Sequence, residues 1–193
     1  MQLLILGLLI FLSNHSIKMV APQWRARFVE NYGANTWKTL YSLFSLSGLL
    51  LIIYGYGLSR TEAVFLWNPP LWTRHIALVL TWLAFILLAA AAVKNNHIKQ
   101  RLGHPMYAGI KIWAFAHLLA NGRLSDVLLF AAFMVWAIAG FSISRRRDRR
   151  DGISRPDANI KGTLVTVAAG SMVWAVIVFG LHQWLIGVSP LPF

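Results

Sequence analysis

Six histidines carry most of the chemistry that this sequence could perform: His15, His75, His97, His104, His117 and His182. An imidazole within a membrane helix is costly to bury, so each one in an apolar stretch is a candidate for metal ligation, proton transfer or a bond tying helices together. There is no Cys, which excludes disulfides, thiolate metal sites and any CxxCH attachment; a haem held here would be b-type, on imidazole nitrogens. The acids are Glu30, Glu62 and four Asp, none of them mid-membrane, so paired-carboxylate catalysis and ion-coupled transport have almost no material. No nucleotide-binding loop, HExxH zinc motif or serine nucleophile elbow is present.

The stretch richest in these groups is HPMYAGIKIWAFAHLLANG, His104 to Gly122, with one histidine at its mouth and another at depth. Pro105 suits a first helical turn and Asn121-Gly122 a stop, which predicts a helix of about 16 residues, barely long enough to cross a bilayer. Gly109, Trp113 and His117 fall at i, i+4 and i+8 on one face. Trp113, Phe115 and the small Gly109, Ala116 and Ala120 could line a planar apolar cofactor, or serve only helix packing. Lys111 is the one Lys or Arg well inside a predicted span; it can snorkel toward the basic side or meet a propionate.

The elements that must position these groups are membrane helices. The 193 residues are 58% hydrophobic with nine Trp, the mean hydropathy is +0.60, and the apolar residues come in blocks. The expected fold is all-α, a polytopic membrane bundle of about six transmembrane helices with a short fourth, forming a single domain over residues 1–193. The spans are read as about Leu3–Val20, without the basic start or cleavage site of a signal peptide, then Thr39–Leu58, Leu71–Val93, the His104 stretch, Ser125–Ile143 and Gly162–Ile186. Val20–Trp37 reads as an interfacial segment. Ser42, Ser45, Ser47 and Gly48 give the second span a small-residue surface. The polar stretch SRRRDRRDGISRPDANIK, residues 144–161, reads as a mobile basic cytoplasmic loop.

A formal charge of +12 would indicate nucleic acid in a soluble domain. Here the basic residues sit in loops, where topology and anionic membrane lipid account for them and nucleic acid is not an expected partner. Counted loop by loop, one side carries four (Lys18–Lys38), three (Lys94–Arg101) and seven (Arg145–Lys161); the other has Arg60, Arg74 and Arg123. The positive-inside rule then puts both termini on the periplasmic side of a bacterial inner membrane. Depth in this topology pairs His75 with His117 and His15 with His104. A His15/His117 pair has a vertical mismatch of about 10 Å at 1.5 Å per residue unless a helix tilts. His97 is expected at the surface, and His182 in a bundle hydrogen bond or at the interface.

Four motifs in order, LIFLSNHS ending at His15-Ser16, TWKTLYSLFSLSGLLLI with Trp37 and Tyr41, LWNPPLWTRH ending at Arg74-His75, and the His104–Gly122 stretch, resemble the NnrU family of bacterial membrane proteins. The resemblance covers residues 1 to about 144. It implies an association with nitric oxide metabolism in denitrification. A related domain, the 15-cis-zeta-carotene isomerase, is a haem b enzyme acting on a polyene double bond; the likeness to it carries the axial ligand pair over to His15 and His117. This chain has Gly103 where that enzyme has Arg before its His-Pro pair, and no counterpart of its later double histidine, departures that bear on isomerase activity more than on haem. The resemblance thus implies an inner-membrane haem b protein of nitrogen-oxide respiration, or of a membrane redox or isomerisation step, with a small-gas or apolar ligand. The alternative is a non-enzymatic assembly or stability factor for a partner membrane complex.

Overall fold

A computed structural model describes residues 1–61, 63–155 and 157–191. Glu62, Pro156 of the basic stretch and the last two residues of the tail, Pro192 and Phe193, lie outside the described residues. The chain folds as helices α1 (Gln2–Val20), α2 (Pro22–Tyr32), α3 (Ala34–Ser59), α4 (Leu71–Ala92), α5 (His97–Leu102), α6 (Pro105–Ala120), α7 (Leu124–Arg150) and α8 (Ile160–Val176), then a π-helical turn (Ile177–Leu181) and α9 (His182–Ile186). Among the described residues there is no strand, only an isolated bridge between Phe65 and Arg123. Five stretches are long and apolar enough to cross a membrane: α1, α3, α4, α7 and the run from α8 through α9. At most 22% of each apolar window is buried by protein. Faces such as Leu43, Phe44 and Ile53 on α3, or Met172 and Phe179 near the end of the chain, are exposed and require lipid as their solvent. This is a multi-pass membrane protein.

The helices group into two compact units. The first comprises Met1–Leu66 with the start of α7, Arg123–Ala132. Its centre is an antiparallel α1/α3 hairpin packed backbone to backbone. A Cβ on Gly7 would stand 2.6 Å from the amide nitrogen of Ile52, one on Gly48 would stand 2.9 Å from that of Phe11, and one on Gly55 would run into the backbone of Leu4. Of the small residues expected to make this surface, Gly48 and Ser45 do so; Ser47 instead bonds the carbonyl of Phe44 on an exposed face. Buried Asn14 locks the register by donating to the carbonyl of Tyr41 (2.9 Å) and to Ser45 Oγ (2.8 Å). The interfacial segment is α2, which has no buried residue; Trp24, Phe28 and Trp37 form an aromatic cluster there, with Arg25 5.5 Å over the Trp37 ring.

In the second unit, Trp67–Gly122 with the chain from Phe133 onward, α4 is the central helix. Ala84 and Ala90 on it are fully buried. Gly109 of α6 sits against Ala84 and Leu88, and Gly170 of α8 against Ile86. Two indole N–H groups tie α4 to α8, Trp82 to Ser171 Oγ (2.8 Å) and Trp174 to Thr81 Oγ1 (3.1 Å). Helix α6 has 16 residues, about 24 Å at 1.5 Å per residue. It nevertheless runs antiparallel to α4 along most of that helix, since Gly109 meets Ala84 while Gly122 lies against the carbonyl of Trp67 just before α4 begins. It is the short fourth helix of the expected bundle.

The basic stretch departs from expectation. Residues 144–150 continue α7 instead of forming a mobile loop, because arginines in a last turn complement the helix dipole and Asp148 binds both Arg155 and His104. The chain then returns to α8, where the Asn159 amide donates to the carbonyl of Asn95 (2.9 Å) and the Asn159 side chain caps the helix. The Lys94–Gly103 loop holds α5. Its N-cap, Asn96, is buried with its side chain satisfied by Lys99 N, Ala90 O and Val93 O.

Candidate functional site

Pro105 opens α6 and the Asn121 side chain closes it, donating to the carbonyl of His117 (2.9 Å). Half-buried His117 gives its Nδ1–H to the carbonyl of Trp113 one turn earlier (2.8 Å), and its ring lies 4.9 Å from that indole. Because a carbonyl can only accept, Nδ1 is the donor here, and in the neutral ring Nε2 carries the lone pair. Trp113 is held in turn by an edge-on contact with Phe133 at 5.8 Å.

His15, in the first unit, is prepared in the same way. Its Nδ1–H bonds the carbonyl of Phe11 (2.7 Å), its ring stacks on Phe11 at 4.1 Å, and Tyr41 lies at 5.3 Å. In the neutral ring the lone pair is again on Nε2. A carbonyl bond on the far nitrogen is the usual device that orients a metal-ligating imidazole and raises its basicity.

The other histidines differ in kind. His75 lies on an exposed part of α4 and makes no hydrogen bond among the described residues. His104 is the N-cap of α6 but makes no side-chain cap bond; its Nε2–H donates to Asp148 Oδ2 on α7 (3.0 Å). His97, expected at the surface, is half-buried and bonded through Nδ1 to Thr163 (2.8 Å) on α8. His182 donates to the carbonyl of Val188 and so folds the chain back after α9.

Lys111 places its ammonium 5.1 Å over the ring of Phe141, and Arg145 approaches the same ring at 5.7 Å. The lysine thus leans toward the basic end of α7. Asp126, in the first unit, accepts from the Tyr56 hydroxyl (2.6 Å). Gly109, which shares a face with Trp113 in sequence, is taken up by packing: a Cβ there would lie 2.9 Å from the carbonyl oxygen of Ala84.

Among the described residues no three His, Asp or Glu gather as they would around a metal ion. A family model, described as NnrU protein, matches residues 3–190. The chain belongs to the NnrU family. No curated protein and no solved structure matches it. In this NnrU protein the match extends through the basic stretch and the last span, beyond the part that the quoted motifs cover.

Sequence reasoning missed Asp148 and Arg155. Arg155 donates to Asp148 Oδ2 (2.7 Å) and to the carbonyl of Gln100 (3.2 Å), and its guanidinium fills the space that a side chain at Gly103 would need. Gly103 has φ +79, which itself favours glycine. A guanidinium thus stands beside His104-Pro105 although residue 103 carries none. The available signal was a single aspartate within a run of five arginines.

Proposed function

We propose that this NnrU protein is a bacterial inner-membrane haem b protein whose haem would be held by the imidazoles of His117 and His15, serving nitrogen-oxide respiration or a membrane redox or isomerisation step. The observation that carries the reading is the bond from each Nδ1–H to the carbonyl one turn back, which sets both rings in the ligating tautomer. The donor set fits the group: two imidazoles with aromatic neighbours and no competing thiolate. Bound haem would supply a redox-active iron. The protein's part is to hold each imidazole, His15 beside Phe11 and Tyr41, and His117 beside Trp113, which rests on Phe133.

Protein purified in detergent after haem supply is expected to show Soret absorption and, on reduction, a low-spin spectrum. Turnover of a polyene would favour the isomerisation branch and nitric oxide binding the respiratory one. Absence of any Soret band under these conditions would sink the cofactor reading and favour the assembly factor.

The proposed orientation places both termini in the periplasm, on the loop charges and on six crossings with α6 counted beside α4. A reporter fused after Phe193 should be active in the periplasm, and one inserted at Asp151 in the cytoplasm. A cysteine put at Asp151 should resist an impermeant thiol reagent in intact cells, a clean readout in a chain without native Cys. Labelling at 151 would reverse the topology.

A further inference from the structure

The last turns of α7 and the chain returning from them enclose a groove of about 510 Å³, lined by Gln100, Arg145, Asp148, Arg149, Ile153 and Arg155. Three guanidiniums against one carboxylate leave it a net charge of +2. That carboxylate is already engaged, since Asp148 accepts from His104 and from Arg155. Nearby Asp151 is engaged as well, by Arg150 at 2.8 Å. Among the described residues Arg149 has no ion-pair partner, and Arg145 meets only the face of Phe141. Two of its guanidiniums, Arg145 and Arg149, thus have no carboxylate partner among the described residues.

Its depth favours one source. The apolar run of α7 ends at Ile143, so Arg145 stands about 3 Å and Arg149 about 9 Å beyond it along the axis. A bilayer's polar headgroup layer occupies roughly the first 5–8 Å outside the hydrocarbon on each side, so Arg145 stands within it and Arg149 just past its edge, within reach of it by the length of its side chain. Arg155 is held in place by Asp148 Oδ2 and the Gln100 carbonyl, so its guanidinium lines the groove in a fixed position beside Arg145 and Arg149. Exposed Ile153 on the rim gives an acyl or glycerol moiety an apolar contact. We propose that this groove is a binding site for an anionic phosphate group, carried by the headgroup of a membrane phospholipid.

The test is thermal melting of the full chain in a neutral detergent, followed by the fluorescence of its nine Trp. Short-chain phosphatidylglycerol, phosphatidylcholine and inorganic phosphate are titrated separately at constant ionic strength. Phosphatidylglycerol is expected to raise the melting temperature saturably and phosphatidylcholine not to. The double variant Arg145→Gln/Arg149→Gln should bind about 30-fold more weakly, from about a fivefold loss per basic residue at a membrane surface. Arg149→Gln alone, which removes no contact within the protein, should lose about fivefold and serves if the double variant does not fold. Arg27→Gln/Lys161→Gln, with the same loss of charge outside the groove, should bind as the parent does. Saturable stabilisation by inorganic phosphate alone, lost with Arg149, would keep the site and assign it to a free phosphate. Equal stabilisation by both lipids, or equal weakening in the Arg27/Lys161 control, would overturn the proposal in favour of diffuse attraction.

Discussion

Replacing His117 with alanine is expected to remove the low-spin haem signature and lower haem content by at least about tenfold, the smallest loss seen when even a supporting group of a metal ligand is removed. His15→Ala should do the same if it supplies the second axial nitrogen. His75→Ala should leave the spectrum unchanged, because that side chain is exposed and nothing fixes its tautomer. His104→Ala should alter it only indirectly, since its Nε2–H is spent on Asp148. Trp113→Phe is the informative control. It removes the indole but keeps the main-chain carbonyl that His117 needs, so ligation should survive with a shifted spectrum. Loss of ligation at position 75 with retention at 15 would return the choice to helix depth. Unchanged spectra at all four positions would remove these histidines as ligands.

The sequence showed most clearly what depends on short-range pattern. Pro105 and Asn121-Gly122 delimit α6 at the expected positions because caps are local chemistry. The paired prolines before Leu71 likewise set the start of α4. Where the limit depends on partners elsewhere in the chain, the reading fell short. Helix α3 begins at Ala34, five residues before the apolar run, once Gly33 at φ +85 breaks it from α2. Helix α7 continues through the arginines to Arg150, where the Asp148 contacts to Arg155 and His104 span 7 and 44 residues. No periodicity in a single sequence reveals such a pairing. The same holds at the candidate ligands: residue type singled out His15 and His117, but the carbonyl bonds that distinguish them from His75 and His104 are properties of the folded helix.

The second large effect concerns the α1/α3 hairpin that carries His15. In a helix interior, Gly→Ala normally stabilises by about 1 kcal/mol because glycine loses more backbone freedom on folding. Gly57 should follow that rule, since nothing lies within 4 Å of a Cβ added there. Gly55, two residues earlier on the same helix, should reverse it. The added carbon would meet the backbone of Leu4, which has no rotamer to give way, so Gly55→Ala should destabilise by about 1–3 kcal/mol and Gly55→Leu should prevent the hairpin from closing. Thermal melting of the purified variants should therefore move in opposite directions at 55 and 57; a parallel shift would mean that the helices do not approach so closely. The displacement also bears on the site. Leu4, Gly7, Phe11 and Asn14 set the register of α1 against α3, and His15 follows Asn14 directly, with its ring beside Tyr41 of α3. If His15 is an axial ligand, Gly55→Ala should lower haem content along with stability, whereas Gly57→Ala should leave haem content unchanged.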